Sequence, residues 1–433
     1  MKLSHKIWIT LLVVSFLIIS FYRTNYNFTY FSTLFILFII LTFSRELPIR
    51  ILSLVYLIYF GLGAANISTY RGEISPKTMT LYSALILLSL LPFFFTKFKQ
   101  SIFFETIITT PKFGLVTQIH MIIAWVVLSV TFILYGNILL NQELRFKIPP
   151  SLGYIIKSSL AIPLFYTFIK EDNTKKKIIK YILLPIMPSL IIGSRGNVLM
   201  ILICSMLIYL TYLNKYKRIH NGIKKIKIKN LIFSISLIGM IVILPLFYIR
   251  RIFNSSLQSP LEMISYYNFA SDSFYILLIL PFHTAFRETI GISNVIINNN
   301  YINNYTSIPL VFQELATVLP GDNLAPGKIL GKEIIGSVLD AGLTPGLLGG
   351  TYIDFGYVCI FFGFLTTILV SFLLRRYLCN ARSLIIGFLS LVEYIHFFHR
   401  GFLKLEYFTT ILIVIIYINL CKKPKKSLVN GLY

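Results

Sequence analysis

Apolar runs of bilayer length recur from one end of this chain to the other with scarcely an acid or base inside them, and that recurrence sets the solvent before it sets the fold. Residues 114–140, GLVTQIHMIIAWVVLSVTFILYGNILL, are typical. A crossing of the hydrocarbon core takes about 20 apolar residues in a helix, and backbone exposed to lipid must satisfy its own hydrogen bonds. The runs are too long and too uniformly apolar for barrel strands, which alternate. Composition agrees: 56% of residues are hydrophobic and 13% charged, against about 25% charged in soluble domains. The expected fold class is therefore all-α, a polytopic transmembrane helical bundle.

Charges and turn residues place about twelve spans, near 7–22, 28–44, 51–66, 79–96, 114–140, 151–169, 178–193, 197–214, 230–249, 347–373, 383–398 and 404–420. Loop charge tests that arrangement, because cytoplasmic segments carry the Lys and Arg excess. With the N-terminus inside, 26 of the 40 Lys and Arg lie on inner segments and 13 on outer ones. Both termini are thus expected in the cytoplasm. The net charge of +24 follows from the same topology. The most basic stretch, KYKRIHNGIKKIKIK, lies between two expected spans, where it orients the chain and meets anionic headgroups; no nucleic-acid partner is implied. The first span lacks a small-residue cleavage site and reads as a span, not a removable signal. Cys204, Cys359, Cys379 and Cys421 lie in or beside spans or on the reducing side and give no external disulfide framework.

The layout divides into spans one to nine (1–249), one long external segment (250–346) and the last three spans with a basic tail (347–433). Seven of the sixteen Asp and Glu fall in the long segment: Glu262, Asp272, Glu288, Glu314, Asp322, Glu333 and Asp340, with Asp354 close behind. So long a connection inside a compact protein carries structure of its own or function. Within it, NFASDSFYILLILPFHTAF (268–286) is apolar but interrupted by Pro281 and His283, which predicts a short re-entrant or interfacial helix. A polar Asn/Tyr connector follows, then a short helix that ends at Pro320 and the turn GDNLAPG. No internal repeat of the transporter kind is present.

Arginines stand at the outer ends of spans or in the external segment: Arg195, Arg250, Arg251, Arg287 and Arg400. A guanidinium is permanently charged and offers planar, multi-donor recognition of phosphate. Energy-rich nucleotides are not expected outside the membrane, so a transfer reaction at this face would draw on a donor already attached to lipid. Such a reaction needs the leaving group's charge stabilised and the attacking hydroxyl oriented or deprotonated. The candidates are Arg195, Arg250, Arg251 and Arg287 as pyrophosphate ligands, with Glu314, Asp322, Asp340 or His283 as base. Each has a plainer alternative: Arg195 closing a tight hairpin while its stem snorkels, Arg250 and Arg251 anchoring a span end. His396 and His399, one helical turn apart, fit packing better than a metal site, and no metal or cofactor is expected.

Two stretches carry a family resemblance. GSRG between two spans, with GLTPGLLGGTYIDFG (342–356) at the entry to a late one, resembles the bacterial oligosaccharide repeat-unit polymerases of the Wzy type. The resemblance implies a metal-independent membrane glycosyltransferase of GT-C-like architecture, making surface polysaccharide such as O-antigen, lipopolysaccharide chains or capsule. It implies transfer of a growing glycan from undecaprenyl pyrophosphate to a sugar hydroxyl of an incoming lipid-linked repeat unit, on the external face of the bacterial cytoplasmic membrane. Membrane lipids, a chain-length regulator and a flippase would be its partners. Arg195 and Gly196 match the family's Arg-Gly turn, and Thr344, Pro345, Gly349, Tyr352 and Gly356 its entry segment. Where many relatives have Gly-Glu, this chain has Gly349-Gly350. An O-antigen ligase shares the plan and differs in acceptor. A flippase or other transporter would be favoured if Lys157, buried in the sixth span, paired with Glu393 along a central path.

Overall fold

The structure, a computed structural model, describes residues 3–22, 25–44, 46–98, 110–136, 148–166, 179–194, 261–269, 275–301, 308–317, 325–336, 343–376 and 381–421, most of 196–211, and residues 138, 144, 248, 259 and 379. Every regular element among them is helical. The one sheet-like contact among the described residues is an isolated antiparallel bridge between Ser68 and Phe269. The chain forms two compact units: Met1–Lys97, Phe247–Phe372 and Glu393–Lys404 make the first, and Phe98–Leu246, Leu373–Val392 and Leu405–Tyr433 the second.

The first unit begins with α1 (Leu3–Tyr22), α2 (Tyr26–Phe43), α3 (Leu47–Gly63) and α4 (Pro76–Phe95). Their starts are written locally. Asn25 caps α2 through Phe28 N, and Ser75 caps α4 through Thr78 N with Pro76 in the first turn, the position where a missing N–H costs nothing. On α2, Thr33, Ile36, Leu37 and Ile40 are buried while Phe31, Phe35 and Phe38 are exposed, a split expected of a helix with lipid on one side. α4 is enclosed almost all round, from Thr78 to Leu87. Lipid tails give no hydrophobic drive between helices, so close packing and polar contacts hold them together. Thr33 bonds Ser83 across α2 and α4 at 2.8 Å. A Cβ on Gly63 of α3 would lie 2.9 Å from Phe286 and Ile290, so the helix carrying them could not come as near to a larger residue.

That helix is the first departure from expectation. Pro281 does not end the predicted 268–286 element; after α9 (Glu262–Tyr266), α10 runs unbroken from Ile276 to Asn298. A proline inside a helix leaves the carbonyl four residues back without its donor. Here that carbonyl belongs to Leu277, and the Tyr248 hydroxyl donates to it. After α10 come a 3-10 turn at Leu310–Phe312, α11 (Gln313–Ala316), α12 (Pro326–Leu330) and a π turn at Gly331–Ile335.

The second departure is the tenth span. By length and composition Gly346–Leu374 is one of four helices among the described residues able to cross a membrane, with Tyr26–Phe43, Pro76–Phe95 and Pro111–Tyr135. The chain reverses inside it. Gly356, at φ +57, separates α13 (Gly346–Phe355) from the 3-10 turn that leads to α14 (Cys359–Leu374). A Cβ on Gly363 of α14 would lie 2.5 Å from Leu85 and 3.6 Å from Leu347 of α13. In one straight helix residues 347 and 363 would stand about 24 Å apart. The 347–373 segment is therefore two helices folded back on each other about Gly356, not one continuous helix. α15 (Ala381–Arg400) completes the described helices that enter this unit.

The second unit contains α5 (Pro111–Tyr135), α6 (Pro150–Ser158), α7 (Ala161–Tyr166), a π turn (Ile179–Leu183), α8 (Leu184–Ile191) and α16 (Leu405–Leu420). On α5, Phe113, Thr117, Ala124, Leu128 and Thr131 are buried, whereas Leu115, Ile122, Val126 and Ile133 are exposed. Lys157 pairs with Glu406 of α16, so Glu393 is not its counter-charge as the sequence suggested. The apolar helices make this a membrane protein; the number of crossings and their orientation rest on the sequence argument above.

Candidate functional site

The site is built on α10, whose two faces do different work within the first unit. One face holds the 62–75 connection between α3 and α4. Arg287 is 1% exposed, and its guanidinium donates to the carbonyls of Tyr70 (Nε, 3.0 Å), Gly72 (Nη2, 2.6 Å) and Gly63 (Nη1, 3.4 Å). One turn earlier, His283 bonds the Leu62 carbonyl through Nδ1 at 2.7 Å and Ser68 Oγ through Nε2 at 2.8 Å. A carbonyl only accepts, so Nδ1 carries the proton and Nε2 accepts from Ser68. Glu288 takes Arg71 Nε and Nη2 at 2.8 and 2.9 Å and the Tyr70 hydroxyl at 2.6 Å. Burial, and then the Glu288 carboxylate, push the Tyr70 phenol above its ordinary pKa. Asn294 accepts from Ser75 N and donates to the Glu73 carbonyl, both at 2.9 Å. A Cβ on Gly291 would meet Arg71 Cβ at 2.5 Å.

The other face seats the Thr344-Pro345 entry. Ser293 donates to the Pro345 carbonyl and bonds the Tyr82 hydroxyl at 2.8 Å. Thr289 Oγ1 lies 3.3 Å from His399 Nδ1, and the His399 ring sits against Tyr59 and Phe286. The glycines of GLLGG are needed for this approach. A Cβ on Gly349 would come 2.8 Å from Ser293 Oγ, and one on Gly350 2.5 Å from the Gly401 carbonyl oxygen. A side chain at 350 has no room. Gly346 and Gly401 both hold positive φ, +65 and +83, where a side chain is strained.

Pressed against α13, the turn 400–404 gathers charge. Arg400, exposed at the end of α15, donates from Nη1 to Thr344 Oγ1 at 3.2 Å. Leu403 N donates to the Val311 carbonyl at 3.3 Å, and Lys404 Nζ bonds Glu314 Oε1 at 2.5 Å. Lys404 N also donates to Glu393 Oε1 at 3.2 Å. Asp354 at the end of α13 accepts from Leu310 N and Val311 N at 2.9 and 3.0 Å, which fixes the 3-10 turn that carries Glu314 into place. The two cations of the turn, a threonine hydroxyl and a buried carboxylate are thereby held by rigid elements. Chemically, Arg400 has guanidinium donors beyond the one on Thr344, and Lys404 keeps Glu314 beside a positive charge; anion recognition next to a proton acceptor follows.

Of the residues singled out from sequence, Glu314, Thr344, Pro345 and Gly349 come together here. Tyr352 donates to Asn300 Oδ1 at 3.2 Å, further along α13, and Gly356 makes the hairpin turn. His283 and Arg287 lie on the clamping face of α10, with both imidazole nitrogens and three guanidinium nitrogens engaged by the chain itself. Arg195, Arg250, Arg251, Asp322 and Asp340 lie outside the described residues; Gly196 opens a short helical stretch. Sequence reasoning passed over Lys404 and Glu393 as members of the site. The available signal was RGFLK, two bases around a glycine directly after a buried helix. Among the described residues no group of three His, Cys, Asp or Glu could hold a metal ion. No family model, no curated protein and no solved structure matches the chain.

Proposed function

We propose that this protein is a membrane glycosyltransferase of GT-C-like, roughly twelve-span plan that polymerises lipid-linked oligosaccharide repeat units. The reading is supported above all by the charged turn: Arg400 and Lys404 flank a glycine that α13 packs upon, with Thr344 on one side and Glu314 on the other. Under the loop-charge topology this turn faces outward from a bacterial cytoplasmic membrane whose inner side holds both termini. Arg400 and Lys404 neutralise the diphosphate of an undecaprenyl pyrophosphate-linked glycan as its bond to the anomeric carbon breaks. Glu314 takes the proton of the acceptor sugar hydroxyl as the new bond forms. Arg195, Arg250 and Arg251 remain further diphosphate ligands by their expected position, and Asp322 and Asp340 further bases. Arg287 and His283 serve instead to position α10, on which the entry segment is seated.

The test is reconstitution with lipid-linked repeat units and a gel that resolves chain length. Wild-type protein yields a ladder on the lipid carrier, and Arg400→Ala abolishes it without loss of membrane insertion. A ladder undiminished in Arg400→Ala removes the charged turn from the mechanism. A substrate that crosses the bilayer with no new glycosidic bond would identify a transporter instead.

A further inference from the structure

A second polar cluster stands on the first unit, at the opposite end of α13 from the charged turn. Lys77 follows Ser75 and Pro76 into the first turn of α4, and its Nζ lies 5.3 Å from the centre of the Tyr357 ring. Tyr357 comes directly after Gly356 in the turn between α13 and α14 and is 57% exposed. The buried Tyr352 ring meets it edge to face, with centres 5.6 Å apart. Tyr352 Oη donates to Asn300 Oδ1 at 3.2 Å, and Asn298, Asn299 and Asn300 are exposed at the end of α10. Ser75 Oγ donates to Asn298 Oδ1 at 2.9 Å, which ties that end to the start of α4. Among the described residues no carboxylate forms an ion pair with Lys77. The two sites are joined by α13. Tyr357 meets Lys77 and Gly363 meets Leu85, about two turns further along α4, so α14 runs beside α4 in the same direction. Leu347 lies beside Gly363, so α13 begins level with that contact and runs back to the rim. Gly346 packs on Gly401 of the charged turn, and from Gly346 to Phe355 is about 14 Å of helix rise.

We infer that Lys77, Tyr352, Tyr357 and Asn300 form a second glycan subsite, selective for a sugar that bears a carboxylate. An exposed phenol combines an apolar ring face with a hydroxyl, which suits the C–H face and the hydroxyls of a pyranose. The Asn300 amide carries donors as well as the oxygen that Tyr352 uses. Lys77 supplies positive charge, held at the rim by the Tyr357 ring; with no carboxylate of the described chain to pair with, it favours an anionic sugar over a neutral one. Interfacial anchoring accounts for a lysine and a tyrosine, but not for a Tyr352–Asn300 bond that fixes an amide beside them. The inference rests on the glycosyl-transfer reading for the class of its ligand and adds a selectivity to it. With the diphosphate at the charged turn, the length of α13 corresponds to a short oligosaccharide, so the acidic sugar is one removed from the reacting end of the glycan.

The experiment is a saturation-transfer NMR titration of the full chain in phosphatidylcholine nanodiscs. The probes are a trisaccharide that contains glucuronic acid and the same trisaccharide with glucose in that place. Wild-type protein should bind the acidic probe about fivefold more tightly, the worth of one surface ion pair. Lys77→Met should bind both probes as wild type binds the neutral one, and Tyr357→Ala should weaken both about tenfold. Equal binding of the two probes by wild type, a preference that persists in Lys77→Met, or Tyr357→Ala that binds like wild type overturns the inference. If Lys77→Met does not insert, wild type at about 1 M salt, where the screening length is about 3 Å, should lose the preference, and its survival overturns the assignment. If Lys77→Met leaves both titrations unchanged and lowers only the retention of phosphatidylglycerol, Lys77 is a headgroup anchor and the subsite falls. No lipid diphosphate is present, so a failed titration overturns the subsite and leaves polymerisation to the ladder assay, whereas an absent ladder with the titration intact overturns polymerisation alone.

Discussion

Replacing Arg287 by methionine keeps most of the side chain's apolar length and removes its donors, and the structure sets what that should do. Two of its bonds are short and charge-assisted, to Tyr70 and Gly72, and the third, to Gly63 at 3.4 Å, is weak. Hydrogen bonds from a charged group contribute about 1.5–3 kcal/mol each, so the two good bonds set a ceiling of about 3–6 kcal/mol. Relief of the buried charge's own desolvation offsets part of this, which leaves an expected loss of about 3 kcal/mol. At about 2–4 °C per kcal/mol for a unit of this size, the apparent unfolding temperature in detergent should fall by about 6–12 °C. The freed carbonyls belong to one connection, so limited proteolysis should cut selectively within 64–75. Arg287→Lys should recover only part of the loss, because an ammonium lacks the fork that reaches three carbonyls. Inorganic pyrophosphate should give the same protection to wild type and to Arg287→Lys. If Arg287→Met melts with wild type, its 64–75 connection resists protease and pyrophosphate protection disappears, the clamp is refuted and Arg287 is a ligand.

Gly350→Ala places a methyl group 2.5 Å from the Gly401 carbonyl, and overpacking of that kind costs about 1–3 kcal/mol; a thermal melt unchanged from wild type would contradict the packing of α13 on the turn. Tyr248→Phe should destabilise by about 1 kcal/mol, whereas in a Pro281→Ala background the same change should cost less, because the backbone N–H restored at position 281 then serves the Leu277 carbonyl; equal costs in the two backgrounds would refute the substitution of one donor for the other. The Tyr70 phenol has a folded pKa raised above its ordinary value of 10.0, so its contribution is complete below about pH 10 and is lost as pH rises through the folded value. Tyr70→Phe should therefore flatten the decline of stability measured above about pH 10, and an identical alkaline profile would remove Tyr70 from the cluster. In the ladder assay, Glu314→Gln should lower turnover at least tenfold with little change in the substrate concentration for half-maximal rate; equal loss in both would make Glu314 a binding group.

Much of the architecture was legible because it depends on patterns local to the chain. The apolar runs dictated helices, although the starts expected near 28 and 79 fall two and three residues inside α2 and α4, whose caps are Asn25 and Ser75. The entry segment and Glu314 were also picked out from sequence. Pro281 misled because its cost depends on whether a donor reaches Leu277 O, and Tyr248, far earlier in the chain, supplies it. The 347–373 segment misled because apolar length measures what lipid tolerates and says nothing of a reversal at Gly356. Arg287 and His283 have the chemistry of a site, yet the chain's own carbonyls take up that chemistry.

Sequence by itself determined the solvent, the helical class and, through Lys and Arg placement, an expected orientation. Those follow from transfer free energies and backbone hydrogen bonding, which act on each segment alone. Only tertiary structure decided that Lys404 meets Glu314, that Lys157 meets Glu406 rather than Glu393, and that α13 folds back upon Gly401. Each joins residues far apart in the chain, and the energy of such a pair depends on a distance that no local pattern encodes.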